Sequence, residues 1–511
     1  MLRRLIAVVF FAICIVLAAR VTFCTIFSGF NTYDDEGAII VALLGLARGH
    51  VLYDQVAGMY GPFGFFPKLA IIKAFHLAVD HNVSRTMSWT TYFAGCVTAS
   101  LVTWRFTKQA SLAAITLFVT YLLLRWFGGE SGHPQDECQL LLSIAALLAT
   151  FAIESCRWRV GIAIAVVGGM LLMTKGNLGV FFIAAFGTTL VLLLRKSTLR
   201  LILRIACLMA LLILPWTLLR SHVDNASVSN FFIAIEISLL NCFLIATMRA
   251  THGALRLREV LLFATCLLAT AGIIFAGTMA LGTSLRGMKE GLIDLPLRGS
   301  NLFFWFWRKS EWMIPVAVFA SVGAAIGAAY LRKTDSKDAQ FPVALAVFRM
   351  AGGIYVAKVA LFDSQSGQEL LMATLPPFLW IFMMPIRFDI HETPVSFART
   401  FIAFLAVAQT MGSYPNAGTQ QAIGLIIPMI IAVVSFNDGL QFFLRFLPTT
   451  AIRLNTVIGT AVGCFILWFS ISTTVRQDRI YQRFVPLSLP GSDMVRVPDQ
   501  ELLRLKMVVA E

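Results

Sequence analysis

Charged side chains are scarce in this chain. Asp, Glu, Lys and Arg together make up 13% of its 511 residues, where ordinary soluble domains carry roughly 25%. With 58% hydrophobic residues and a mean hydropathy of +0.80, the chain cannot cover itself with polar surface in water, and a soluble protein is excluded. Metal-binding cysteine patterns are missing as well. The nine cysteines, Cys14, Cys96, Cys207, Cys266 and Cys464 among them, lie mostly in or beside apolar runs, with no CxxC or Cys/His spacing. They read as small buried hydrophobes. Strong internal repeats and low-complexity tracts are also absent. The net charge of +14 is spread between apolar runs rather than gathered into a patch, so nucleic acid is not an expected partner.

What is present is apolar sequence from end to end. Candidate membrane spans centre near residues 16, 96, 119, 147, 167, 186, 210, 239, 270, 322, 352, 378, 406, 429 and 464. About twenty residues are needed to cross hydrocarbon. The runs flanking Lys175-Gly176-Asn177 and those near 406 and 429 read as short, which leaves roughly 11–15 crossings. The N-terminal run extends to about Ile26 without a convincing cleavage site, so it reads as a first transmembrane helix rather than a signal peptide. The expected fold is an all-α polytopic bundle over residues 1–475, with a long first external loop at 28–85 and a short polar tail at 476–511. The tail is too short for a core of its own. It lies outside if the spans number fifteen and inside if the number is even.

Orientation follows from the basic residues. With Arg3 and Arg4 in the cytoplasm and sides alternating after each span, the inner loops hold Arg105/Lys108, Arg157/Arg159, Arg195/Lys196/Arg200, Arg249/Arg256/Arg258, Arg332/Lys333/Lys337, Arg387/Arg399 and Arg445/Arg453. Short outer loops near 128–138, 362–369 and 413–421 contain no Lys or Arg. This is the positive-inside bias. The polar motifs then sort to the outer face: Tyr33-Asp34-Asp35-Glu36-Gly37, Gly132-His133-Pro134-Gln135-Asp136, Asp363 to Glu369, and Tyr414-Pro415-Asn416. Chemistry is expected there, away from the cytoplasm.

Each motif has a structural reading beside the functional one. Asp34 or Asp35 would cap the amphipathic run Glu36–Arg48. His133 and Asp136, three apart at the mouth of a helix, would both face one site, or would be a loop histidine and a capping carboxylate. They are too few for a closed metal site, and no metal is expected. The segment 282–312 places Arg286, Lys289, Arg298, Arg308 and Lys309 around Trp305, Trp307 and Trp312, which suits either an anion or an interfacial stretch gripping headgroups. Lys175, Arg349 and Lys358 fall between or within apolar runs. Ionisable groups at such depth usually face a polar interior, although a lysine also snorkels. Asp363 with Glu369, and Tyr414 with Asn416 and Gln420, suit sugar hydroxyls or a solvated loop end.

The order Asp35-Glu36-Gly37, then Gly49-His50-Val51-Leu52-Tyr53-Asp54, then Tyr60-Gly61-Pro62 resembles the first external loop of the GT-C glycosyltransferases. These are polytopic enzymes that use polyprenyl-phosphate-linked sugars, such as protein mannosyltransferases and lipid A aminoarabinose transferases. Thr174-Lys175-Gly176-Asn177 is similar to the Lys-x-Asn element of bacterial members. The resemblance covers about residues 1–200 and is architectural beyond. The chain departs from it at Pro62, which Tyr60-Gly61 precede where some members carry a lysine, and it lacks the large C-terminal domain of some relatives.

The resemblance implies a catalytic carboxylate at Asp35, with Asp34 as fallback. It implies a polyprenyl-phosphate sugar donor, a glycan, lipid or protein acceptor, an inverting hexosyl or pentosyl transfer without cofactor, and a place in a bacterial inner membrane facing outward. The chemistry suits one carboxylate. An acceptor hydroxyl needs a base as the new bond forms, while a phosphate leaving group needs cations rather than an acid. Lys175, Arg286, Lys289, Arg298 and Lys358 are the candidates for that phosphate. Glu36, Tyr53, Tyr60, His133, Asp136 and Gln368 are the candidates for substrate contact. The rivals are a transporter or lipid flippase, and an outer-face polymerase or ligase using diphosphate-linked donors.

Overall fold

A computed structural model describes residues 2–30, 36–125, 130–152, 157–195, 197–249, 255–302, 309–332, 340–362, 365–384, 397–413, 420–445 and 448–510. After α1 (Leu2–Ile26), the first outer segment carries two short helices, α2 (Glu36–Ala47) and α3 (Phe66–Ala74). The chain then runs through α4 (His81–Thr107), α5 (Ala110–Leu124), α6 (Gln135–Phe151), α7 (Arg157–Leu172) and α8 (Gly176–Leu192). Three longer helices follow, α9 (Thr198–Leu219), α10 (Ala226–Arg249) and α11 (Leu257–Ala280). The second long outer segment holds α12 (Leu285–Lys289) and α13 (Leu295–Leu302). Beyond it come α14 (Met313–Arg332), α15 (Gln340–Phe362) and α16 (Gln365–Thr374), the last continued by a 3₁₀ stretch, Pro376–Met383. The bundle closes with α17 (Phe397–Thr410), α18 (Gln420–Leu444) and α19 (Pro448–Arg483). The tail pairs β1 (Val485–Pro486) with β2 (Arg496–Val497) and ends in α20 (Asp499–Ala510).

Every candidate span centre falls in a helical element, and eight helices among the described residues are long and apolar enough to cross a membrane. Burial separates two kinds. The apolar windows of α9 and α11 are 11% and 17% buried, whereas that of α18 is 94% buried. The outer helices therefore turn Leu201, Ile205, Leu268 and Ile273 toward lipid, where an apolar surface costs nothing. α17 and α18 form the centre. The short-span reading of the run near 429 is corrected here. Pro428, Asn437 and Asp438 interrupt its hydropathy, yet α18 is one helix of 25 residues, its polar groups supported by neighbours as in other membrane helices.

Because lipid tails are as apolar as leucine, close packing rather than water release holds such helices together. α15 and α18 meet at glycines: a methyl on Gly353 would stand 2.6 Å from Cβ of Phe436, and one on Gly439 2.6 Å from the Ala346 carbonyl oxygen. Buried arginines are matched by carbonyls. Arg349 donates to Ile381 O and Met384 O, both at 2.9 Å, and Arg399 to Phe382 O at 3.0 Å and to Asp438 Oδ2 at 2.7 Å. Arg249 donates to Met383 O. Three cations thus cover the carbonyl end of the 3₁₀ stretch, the negative end of its dipole.

The last helix passes the expected boundary at residue 475 and runs to Arg483. The tail behind it returns to the end of the bundle that carries α2 and α3. Gly29 N donates to Arg496 O at 2.7 Å, Arg496 N to Phe27 O at 2.9 Å, and Asn82 N to Gly491 O at 2.8 Å. The segment after α1 and the tail therefore share one end of the bundle.

Candidate functional site at the outer end of the bundle

Asp34 and Asp35, and with them Asp363, Tyr414, Asn416, Trp305, Trp307 and Arg308, lie outside the described residues. The residues bracketing the acidic pair are placed. Glu36, at the first position of α2, is fully buried. Arg85 Nη2 reaches its Oε2 at 2.7 Å, Arg85 Nε its Oε1 at 3.0 Å, and His81 Nδ1 its Oε1 at 3.2 Å. Burial pushes this carboxyl up, but the His81 hydrogen bond and the Arg85 charge outweigh it and hold the carboxyl below its ordinary range. Arg85 also donates through Nη1 to Ile26 O at 2.8 Å and Gly29 O at 2.9 Å. One guanidinium thus ties together both ends of the acidic segment. Glu36 faces that clamp rather than an open surface.

Three sequence motifs converge beside it. Tyr60-Gly61-Pro62 docks on the junction between α7 and α8: Gly61 N donates to Thr174 O at 2.9 Å and Phe63 N to Met173 O at 3.0 Å. A methyl on Gly61 would lie 2.0 Å from the Met173 carbonyl oxygen, so only glycine permits the approach. Lys175, the residue capping α8, sits at this junction half-buried. The third motif opens α6. Tyr60 and His133, 73 residues apart, are hydrogen-bonded through Oη and Nε2, with ring centroids 4.5 Å apart. Gln135 N donates to His133 Nδ1 at 3.3 Å. The hydrogen-bond pattern therefore assigns the proton to Nε2 and makes the phenol oxygen the acceptor of the pair.

Behind His133 lies a charged cluster that sequence reasoning missed. Lys68 of α3 reaches Glu137 Oε1 at 2.7 Å and Gly132 O at 2.5 Å. Asp136 is buried next to it, its Oδ2 without a hydrogen-bond partner. Asp136 and Glu137 stand in the first turn of α6, and Glu137 holds Lys68 against it. The signal was available: a lysine flanked by Phe66-Pro67 and Leu69-Ala70-Ile71-Ile72 in an outer segment needs a partner.

The second outer segment joins the same end. Asp54 accepts from Ser284 N and Ser284 Oγ, both at 2.6 Å, and these bonds hold its carboxyl below the ordinary range. Tyr53, with φ +67°, donates from its hydroxyl to Tyr60 O at 2.6 Å. Its ring fills the space beside Gly291, where a methyl would stand 2.2 Å from it. Of the cations there, Lys289 pairs with Asp294 at 3.1 Å and Arg298 with Glu290 at 3.0 Å, while Arg286 is exposed. Two candidates lie elsewhere. Lys358 is exposed on the flank of α15, and Gln368 is buried on α16, donating to Leu123 O at 3.3 Å. Among the described residues, no group of three or more His, Cys, Asp or Glu is arranged to hold a metal ion.

This end thus gathers a phenol–imidazole pair, a buried carboxyl group, buried Lys68 and half-buried Lys175 near the two placed ends of an acidic segment. No protein-family model and no curated protein matches the chain. Among solved structures, the crystal structure of the Archaeoglobus fulgidus oligosaccharyltransferase in complex with zinc and sulfate aligns over 91% of this chain and 52% of that one, at 11% identity and a TM-score of 0.40. The chain spans about half the length of that protein, and a likeness this distant carries no argument about family or activity.

Proposed function

We propose that the protein is an inverting membrane glycosyltransferase of the GT-C kind. It moves a hexose or pentose from a polyprenyl-phosphate donor to a glycan, lipid or protein acceptor on the non-cytoplasmic face of a bacterial inner membrane. The observation that carries the reading is the docking of Tyr60-Gly61-Pro62 on Thr174-Lys175, with His133 bonded to Tyr60. Two motifs of the family resemblance, Tyr60-Gly61-Pro62 and Thr174-Lys175, meet there, which supports the reading.

In this reading Asp35, or Asp34 in its stead, takes the proton of the acceptor hydroxyl as its oxygen attacks the anomeric carbon. The bond from that carbon to the donor phosphate oxygen breaks, and the phosphate leaves as an anion. Lys175 is the best placed cation to stabilise it, at a helix N-terminus where backbone N–H groups also favour negative charge. Arg286, on the segment tied to the first loop through Asp54, is the second. Tyr60, His133 and Asp136 line the acceptor side. Asp35→Asn should abolish transfer of radiolabelled sugar from a polyprenyl-phosphate hexose in vesicles, with expression and melting unchanged. Full activity in that variant ends the assignment.

A further inference from the structure

We propose that one side of α19 binds an anionic phospholipid of the surrounding bilayer, with Arg476, Arg479 and Arg483 holding the headgroup phosphate. The inference rests on the membrane fold alone and is independent of the glycosyltransferase reading. α19 has two opposite faces. Ser470, Thr474, Asp478 and Tyr481, at spacings of three and four residues, turn toward the bundle. Ser470 and Tyr481 are buried, Thr474 Oγ1 donates to Leu17 O at 3.3 Å, and Asp478 accepts from Arg20 Nε at 3.0 Å. On the other side of the helix, Phe465, Trp468, Ser472, Arg476, Arg479 and Arg483 repeat the same spacing, which sets them on one outward stripe. Phe465 and Trp468 are 39% and 61% exposed, and Ser472 and the three arginines are exposed as well.

The stripe changes character at the depth where a bilayer does. From Val457 to Val475 the helix rises about 27 Å at about 1.5 Å per residue, close to the roughly 30 Å of a hydrocarbon core. Only 17% of its apolar window is buried in the protein. The two turns that follow reach headgroup level and carry the three arginines. A cavity of about 660 Å³ opens there, its lining combining Val475 and Ile480 with Ser472, Arg476, Arg479 and Arg483. None of the three guanidiniums has a hydrogen bond or ion pair to another described residue. The carboxylate within the stretch, Asp478, is taken by Arg20 on the opposite face. Cations without a protein counter-ion at this level attract anionic headgroups, and the planar fork of a guanidinium matches two phosphate oxygens. The order along the stripe is that of a phospholipid: phosphate on the arginines, ester oxygens at the Ser472 hydroxyl, acyl chain along Trp468 and Phe465. A soluble anion would leave the lower half of the stripe unused.

The test titrates the full-length protein in detergent with phosphatidylglycerol or with phosphatidylcholine of the same acyl chains, and counts bound lipid by native mass spectrometry. Wild type should retain one phosphatidylglycerol in preference to phosphatidylcholine. In Arg476→Gln/Arg479→Gln/Arg483→Gln that preference should fall on the order of a hundredfold, each basic residue at a headgroup contributing a factor of about five. Arg48→Gln/Lys73→Gln/Arg258→Gln, which removes three exposed cations elsewhere, should keep it. Arg479→Gln alone should lose about fivefold, and this single change reads the site even where the triple variant does not fold. Wild-type preference in the stripe variants overturns the proposal. So does an equal loss in the two triple variants, which would reduce the effect to overall charge. Release of the lipid by inorganic phosphate at the same concentration assigns the arginines to a soluble anion and overturns it too.

Discussion

Two glycines on either side of Lys175's junction give opposite expectations for the same substitution. Gly61 has φ −65° and ψ 158°, a conformation open to any residue, so Gly61→Ala carries no backbone strain of its own. Its methyl would nonetheless lie 2.0 Å from Met173 O, 2.4 Å from Met173 C and 3.0 Å from Thr174 N. These are backbone atoms that no side-chain rotation moves aside. Ordinary contact begins near 3.4 Å, so the loop must retreat by more than an ångström. That retreat breaks the Gly61–Thr174 and Phe63–Met173 hydrogen bonds, together worth about 1–3 kcal/mol, and overpacking adds about 1–3 kcal/mol. It also carries Tyr60 away from His133, so transfer should fall on the order of a hundredfold. Gly176, exposed at the start of α8, has nothing within 4 Å of its added methyl. Gly176→Ala should be neutral or stabilising by up to about 1 kcal/mol. Denaturant unfolding in detergent and sugar transfer in vesicles measure both. Equal stability and equal activity in the two variants would refute the docking.

Removing Arg85 strands a buried carboxylate, so Arg85→Met should destabilise by about 3–5 kcal/mol, and Arg85→Met with Glu36→Leu by much less than the two single changes summed; a double-mutant cycle reads the coupling. The Glu36 carboxyl is held below its ordinary value of 4.5 by His81 and Arg85 against burial. The stability it adds is therefore fully present above about pH 4.5 and lost as pH falls through the folded-state value. Melting curves of wild type and Glu36→Gln should converge as the pH drops below that point, and a gap that stays constant would contradict the ion pair. Tyr60→Phe keeps the ring against His133 but deletes the hydroxyl, and should cost about tenfold in transfer, the equivalent of one hydrogen bond near 1.4 kcal/mol.

The helices were legible because lipid and a protein core both demand long apolar runs, and α1 ends at Ile26 where its run ends. α18 was misjudged because hydropathy weighs Asn437 and Asp438 as interruptions, whereas Asn437 bonds Gln109 and Asp438 pairs with Arg399. Tyr60 and His133 were each picked out, yet their contact was not, since nothing in a single sequence relates residues so far apart. Arg85 was passed over as one basic residue in a polar stretch, although four acceptors converge on it. The tail read as polar and proline-rich because its buried residues, Leu487, Val495 and Val497, are too few and too scattered to show a period.

The ion pair between Arg20 and Asp478 closes a gap of 458 residues, and β2 adds the backbone contact to Ser28. Contacts of such sequence separation are slow to form, because the closure entropy of the whole chain between them comes first. During synthesis the segment after α1 emerges long before Asp478 and Arg496 and stays incomplete until the last helix and the strand behind it have been made. A ribosome stalled anywhere before Arg496 leaves an inserted bundle with an unfinished mouth.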